Sequence, residues 1–69
     1  MKEINFGKNL KMYRIQEKYN QQQLSALVGV SQQCISEWEN GKIEPTLSYL
    51  WKLADIFNVS IDELVGRED

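Results

Sequence analysis

Two adjacent glutamines, Gln32 and Gln33, follow directly on a serine, Ser31. A glutamine amide sets a donor beside an acceptor, which matches the N6 and N7 edge of adenine in a DNA major groove. Gln33, Ser36, Glu37 and Asn40 recur at i, i+3, i+4 and i+7, so on a helix they share one face. Ile35, Trp38 and Glu39 form the opposite stripe. The first face is polar and short-chained, and it starts at a helix N-terminus, whose dipole favours phosphate. The same spacing also suits the solvated start of an ordinary helix, and spacing alone leaves both readings open. Ser36 is small enough to admit a base edge. Glu37 is acidic, so it either repels phosphate and lowers non-specific affinity or accepts from cytosine N4; both readings stand.

Other chemistries find little material. The chain has no histidine and one cysteine, Cys34. That removes histidine acid–base catalysis, any internal disulfide and the usual zinc ligand sets. The acidic residues show no paired arrangement on a common face, and no glycine-rich phosphate loop occurs. The expectation is a protein without enzyme activity, metal or other cofactor, with Cys34 an inert free thiol. No run reaches the roughly 18 uncharged apolar residues that span a bilayer, and the first residues are too polar for a secretory segment. The expected setting is the cytoplasm, with no membrane partner.

The formal net charge is −2, which at first argues against a polyanionic partner. Its distribution weakens that objection. Residues 1–18 hold five basic side chains (Lys2, Lys8, Lys11, Arg14, Lys18) against two acidic, and residues 19–69 hold three basic against eight acidic. Phosphate affinity follows the local patch, not the total.

Sixty-nine residues allow one domain. Five helical segments can be read, with no pattern for a sheet. The first is expected from about Phe6 to Lys18. The second follows Asn20, an N-cap with Gln23 in capping-box position, and stops at Gly29. The third follows the Ser31 cap and runs to Asn40, with Gly41 as its stop. The fourth spans about Thr46 to Phe57, with Leu47, Leu50, Leu53, Ala54 and Phe57 inward. Ser60, with Glu63, caps the last. Phe6, Leu10, Leu24, Val28, Ile35, Trp38, Leu50, Leu53, Phe57 and Leu64 are the expected core. Between helices two and three lies only Gly29-Val30-Ser31, the short glycine-led turn of a helix-turn-helix.

The stretch from Asn20 to Lys42 resembles the Cro and phage-repressor (xenobiotic response element) family of helix-turn-helix domains. The Gly29-Val30-Ser31 turn, the Trp38-Glu39-Asn40-Gly41 ending, Pro45-Thr46-Leu47, Lys52-Leu53-Ala54 and Val59-Ser60-Ile61-Asp62-Glu63-Leu64 carry the resemblance, which covers residues 6–66. It implies an all-α, compact five-helix bundle of the lambda-repressor-like type. The whole of residues 1–69 would be a single DNA-binding domain with its helix-turn-helix at about 21–40. It implies a transcriptional regulator, with repression the expected action, bound to a double-stranded DNA operator through the third helix. Base contacts are then expected from Gln32, Gln33, Ser36 and Glu37, and backbone contacts from Gln21, Asn40 and Lys42. Arg14 of the first helix would pair with Glu39 of the third, a structural salt bridge rather than a phosphate contact. Trp38 would be core, not a stacking platform. An antitoxin-type module that binds a protein as well as DNA is the alternative.

Met12, Ile15, Leu27, Trp51, Ile56 and Val65 are apolar at or outside the edges of the core stripes. Surplus apolar surface often marks an interface. A homodimer is expected, and the resemblance places its contact at Trp51 and the Ile61–Val65 region, with a protein partner or effector domain as a further possibility.

Overall fold

A computed structural model describes residues 6–66. Its elements are α1 (Phe6–Gln16), α2 (Gln21–Val28), α3 (Gln32–Glu39), α4 (Leu47–Phe57) and α5 (Ile61–Val65). Among the described residues there is no strand.

Local chemistry sets most boundaries. The Asn20 side chain accepts from the Gln23 amide at 2.7 Å, and the Gln23 side chain accepts from the Asn20 amide at 2.8 Å. Ser60 and Glu63 repeat this reciprocal box at α5. Ser31 Oγ accepts from the Cys34 amide at 3.1 Å and opens α3. Each such cap satisfies donors that a helix start leaves orphaned, at about 1 kcal/mol apiece. Gly29 ends α2 at φ 88, with its amide donating to Ser25 O. A side chain at that φ would strain against the backbone, which glycine avoids.

Three boundaries differ from those read in the sequence. The first helix ends at Gln16 rather than Lys18, because Lys18 takes a left-handed φ of 63. Its amide and that of Tyr19 turn back onto Ile15 O and Arg14 O. The third helix ends at Glu39, with Asn40 as its cap and Gly41 at φ 74. The fourth starts one residue later, since Thr46 is an N-cap without a side-chain hydrogen bond. Its far end is closed by Asn58 in the left-handed region at φ 57, a role that asparagine tolerates better than most residues.

The core joins Phe6 and Leu10 of α1, Leu24 and Val28 of α2, Ile35 and Trp38 of α3, Leu53, Ala54 and Phe57 of α4, and Leu64 of α5. Five short helices, each marginal alone, thus share one interior. Each fully buried aliphatic side chain contributes about 1.5–3 kcal/mol. Tyr13 stacks on Phe57 at 5.7 Å between ring centroids, and Trp38 meets Tyr49 at 5.5 Å.

Two of the expected inward residues are not in the core. Leu47 is 64% exposed, because it sits in the first turn of α4, ahead of the part that reaches the bundle. Leu50 is half-buried. It lines a groove with Phe6, Trp38, Ile43 and Pro45 rather than the closed interior.

Candidate nucleic-acid interface

The α2–turn–α3 unit is held from behind. On α3, Ile35 and Trp38 are buried, and the Glu39 carboxylate lies beside them with its side chain 4% exposed. An isolated carboxylate there would be costly. It is not isolated. Arg14 Nε donates to Glu39 Oε2 at 2.6 Å and Arg14 Nη2 donates to Oε1 at 3.2 Å. Arg14 Nη1 donates to the Tyr19 carbonyl at 3.0 Å, which ties the α1–α2 turn to the same fork. Gln21 Nε2 adds a third donor to Glu39, at 3.2 Å from Oε1. The planar guanidinium suits this two-pronged grip, where a lysine would offer one point charge.

A second brace is steric. A β-carbon on Gly7 would stand 2.6 Å from the Glu39 carbonyl oxygen and 2.9 Å from that of Trp38. The first turn of α1 therefore presses directly on the last carbonyls of α3. Nothing larger than glycine fits without moving backbone.

With its rear so fixed, α3 presents the other side outward. Gln32, Gln33 and Asn40 are exposed, and Ser36 and Glu37 are half-buried. The structure brings Gln33, Ser36, Glu37 and Asn40 onto one face, with Gln32 beside it in the first turn. Lys42 is exposed just past the helix end, its amide donating to Glu37 O at 3.0 Å. Within the face, Asn40 Nδ2 donates to Ser36 Oγ at 3.4 Å, a long bond between neighbours one turn apart. Cys34 is half-buried at the edge of α3. Burial, and then the nearby Glu37 carboxylate, push its thiol pKa up.

Of the nine residues singled out in the sequence, Gln32, Gln33, Ser36, Glu37, Asn40 and Lys42 lie on or beside this surface. Arg14 and Glu39 form the internal bridge. Gln21 opens α2 as expected, but its amide is engaged by Glu39 inside the domain. Sequence reasoning missed this engagement. It also missed Gly7, whose one visible signal was a glycine inside a helical pattern. Among the described residues, no group of three or more His, Cys, Asp or Glu side chains is arranged to hold a metal ion, and no helix is long and apolar enough to cross a membrane.

Known proteins share the sequence pattern and the fold. The sequence model of the helix-turn-helix family matches residues 10–64. The SPbeta prophage-derived HTH-type transcriptional regulator YonR of Bacillus subtilis is 40% identical over 60 residues, which is 87% of this chain and 56% of that protein. The chain thus spans little more than half of that relative. The crystal structure of the P22 c2 repressor bound to a synthetic operator superposes with a TM-score of 0.84 at 32% identity, covering 91% of this chain and 96% of that one. The hydroxypropylphosphonic acid epoxidase of S. wedmorenis contains a similar unit, with a TM-score of 0.82 at 32% identity, over 94% of this chain but 36% of the enzyme. The fold is therefore also carried as a minor part of a larger enzyme, and function has to be argued from the α3 surface. Sequence, capped turn and five-helix architecture agree: the chain belongs to the Cro/C1-type helix-turn-helix family.

Proposed function

We propose that this domain binds double-stranded DNA in a sequence-specific way, as the reading head of a cytoplasmic transcriptional regulator, with α3 in the major groove. One observation carries the reading. The outward face of α3 is polar and accessible, while its rear is pinned by Ile35, Trp38 and the Arg14–Glu39 bridge. A groove reader needs that combination, because base contacts discriminate only when their carrier is held in register.

In this reading Gln32 and Gln33 address adenine edges from the first turn of α3. Ser36 and Glu37 approach the bases one turn further on. Asn40 and Lys42 contact phosphate where α3 meets the following loop. Gln21 keeps the inner end of its amide on Glu39 and offers its remaining N–H to the backbone, so that a phosphate contact and the internal bridge are joined. The likeness to the operator-bound P22 c2 repressor favours repression as the action.

Two copies are needed to read a two-fold operator, with recognition helices about 34 Å apart. The surface suited to their contact runs from Trp51, 61% exposed, along a shallow groove formed with Val59 and Ile61. An indole so far in the open is a strong candidate for burial against a second copy.

Selection of binding sites from a random DNA pool tests the proposal. Enrichment of a two-fold symmetric sequence is the expected result. A chain that binds all duplexes alike, or none at low salt, would end it.

A further inference from the structure

We propose that Glu37 is the specificity-determining residue for a cytosine, and that it sets a C·G pair one or two steps from the adenine read by Gln33. The inference rests on the DNA-binding reading above. α3 carries two glutamates on its last turns, and they have opposite fates. Glu39 takes both Nε and Nη2 of Arg14 and the amide of Gln21. Arg14 spends its third contact on Tyr19 O. Glu37 receives none of these. Among the described residues no lysine or arginine nitrogen lies within 4.0 Å of its carboxylate, whereas Arg14–Glu39 does form such a pair. Its charge is felt instead by Cys34, whose thiol pKa it helps to raise. The neighbours on the same face are no better as partners. Asn40 turns its amide to Ser36 Oγ.

Glu37 therefore presents an unpaired, acceptor-only carboxylate on the reading face. The major groove offers it few donors. Guanine O6 and N7 and thymine O4 are acceptors and repel it. Adenine N6 is a donor but has N7, another acceptor, at its side. Cytosine N4 is a donor with no acceptor next to it on that base. A carboxylate at this place selects cytosine. It also pushes against phosphate, so it weakens binding to every sequence that lacks the N4 donor. Both effects raise the ratio of specific to non-specific affinity. Glu37 follows Gln33 by one helical turn, about 6 Å of rise. That is about two base steps of 3.4 Å, so the cytosine falls one or two pairs from the adenine.

The test compares site selection from a random duplex pool for the wild-type chain, Glu37→Gln and Glu37→Ala, with circular dichroism melts to verify that each folds. The wild type is expected to enrich cytosine at one position per half-site, with substitution of that cytosine costing about 5- to 20-fold in affinity. Glu37→Gln is expected to move that position towards adenine, because the amide restores a donor. Glu37→Ala is expected to flatten it to within about 2-fold. Both variants should bind unselected DNA more tightly than the wild type, and both should keep the adenine of Gln33. An unchanged cytosine preference in both folded variants overturns the assignment of Glu37 while leaving the DNA-binding reading intact. Absence of any enriched sequence for the wild type overturns both.

Discussion

Arg14 of α1 holds Glu39 of α3 through two nitrogens and the Tyr19 carbonyl through a third, with side-chain exposures of 11% and 4% across the ion pair. The end of α1, the turn that follows it and the far end of α3 therefore meet at one guanidinium. Arg14→Ala would leave the Glu39 carboxylate buried with only Gln21 for company. Loss of one partner of a buried pair costs about 3–5 kcal/mol, a large share of the stability of so small a domain. A urea denaturation midpoint well below wild type is expected. A variant that keeps its midpoint but loses DNA affinity would identify Arg14 as a phosphate contact instead.

Gly7→Ala tests the steric brace. The added methyl would lie 2.6 Å from a backbone oxygen, and backbone gives way less readily than a flexible side chain. Overpacking of this kind costs about 1–3 kcal/mol. The variant should melt at a lower temperature and show amide shifts at Trp38 and Glu39 by NMR. Wild-type melting would mean that α1 can slide away freely.

Gln33→Ala and Lys42→Ala should separate reading from holding. The first is expected to cost about 1–3 kcal/mol on the selected operator and to relax one position. The second should weaken all duplexes alike and reduce the salt slope by about one charge. Affinities across a salt series for both variants decide it. An unchanged ratio of specific to non-specific binding in Gln33→Ala would remove this residue from the readout.

Cys34 should be a slow nucleophile. Its thiol pKa is raised by burial and by Glu37, so at neutral pH the thiolate fraction falls below that of an ordinary cysteine. Alkylation by iodoacetamide should be slower than for free cysteine, with its pH midpoint displaced upward. A midpoint at or below that of free cysteine would contradict the direction of the shift.

Trp51→Glu addresses self-association. If the exposed indole is covered by a second copy, the charged variant should sediment as a monomer at concentrations where the wild type dimerises, with its melting temperature nearly unchanged. Identical sedimentation would direct attention away from this surface.

What the sequence disclosed, and what it hid, divides along physical lines. Caps are local: Asn20 with Gln23, Ser60 with Glu63, and Gly29 each act within a few residues, so they could be read directly. The buried stripe of α3 was equally visible, because Ile35 and Trp38 follow helical spacing. Leu47 follows the inward spacing yet lies exposed, because periodicity says which way a residue points, not whether the helix has yet reached the bundle. Gly7 and the Gln21 amide were hidden for a related reason. Their partners, the Trp38 and Glu39 carbonyls and the Glu39 carboxylate, lie on another helix, and only the assembled fold brings them close. Glu37 stands out in the sequence as an anomaly, and the expected Arg14–Glu39 pair left it without that cation; that no other lysine or arginine among the described residues reaches it is a property of the assembled fold.

The division of α3 into a pinned rear and an open front also bears on how such domains diversify. Gln32, Gln33 and Glu37 make no hydrogen bond through their side chains within the described residues. Changing them disturbs neither the core nor the bridge, so their replacement should be close to neutral for folding. A lineage could therefore exchange its operator by drifting through substitutions at three positions, each intermediate still folded and, in the proposed reading, still held to DNA through Asn40 and Lys42. Rear and front would then evolve at different rates, the first slowly under the demand for stability, the second quickly under competition between regulators for separate addresses in one genome.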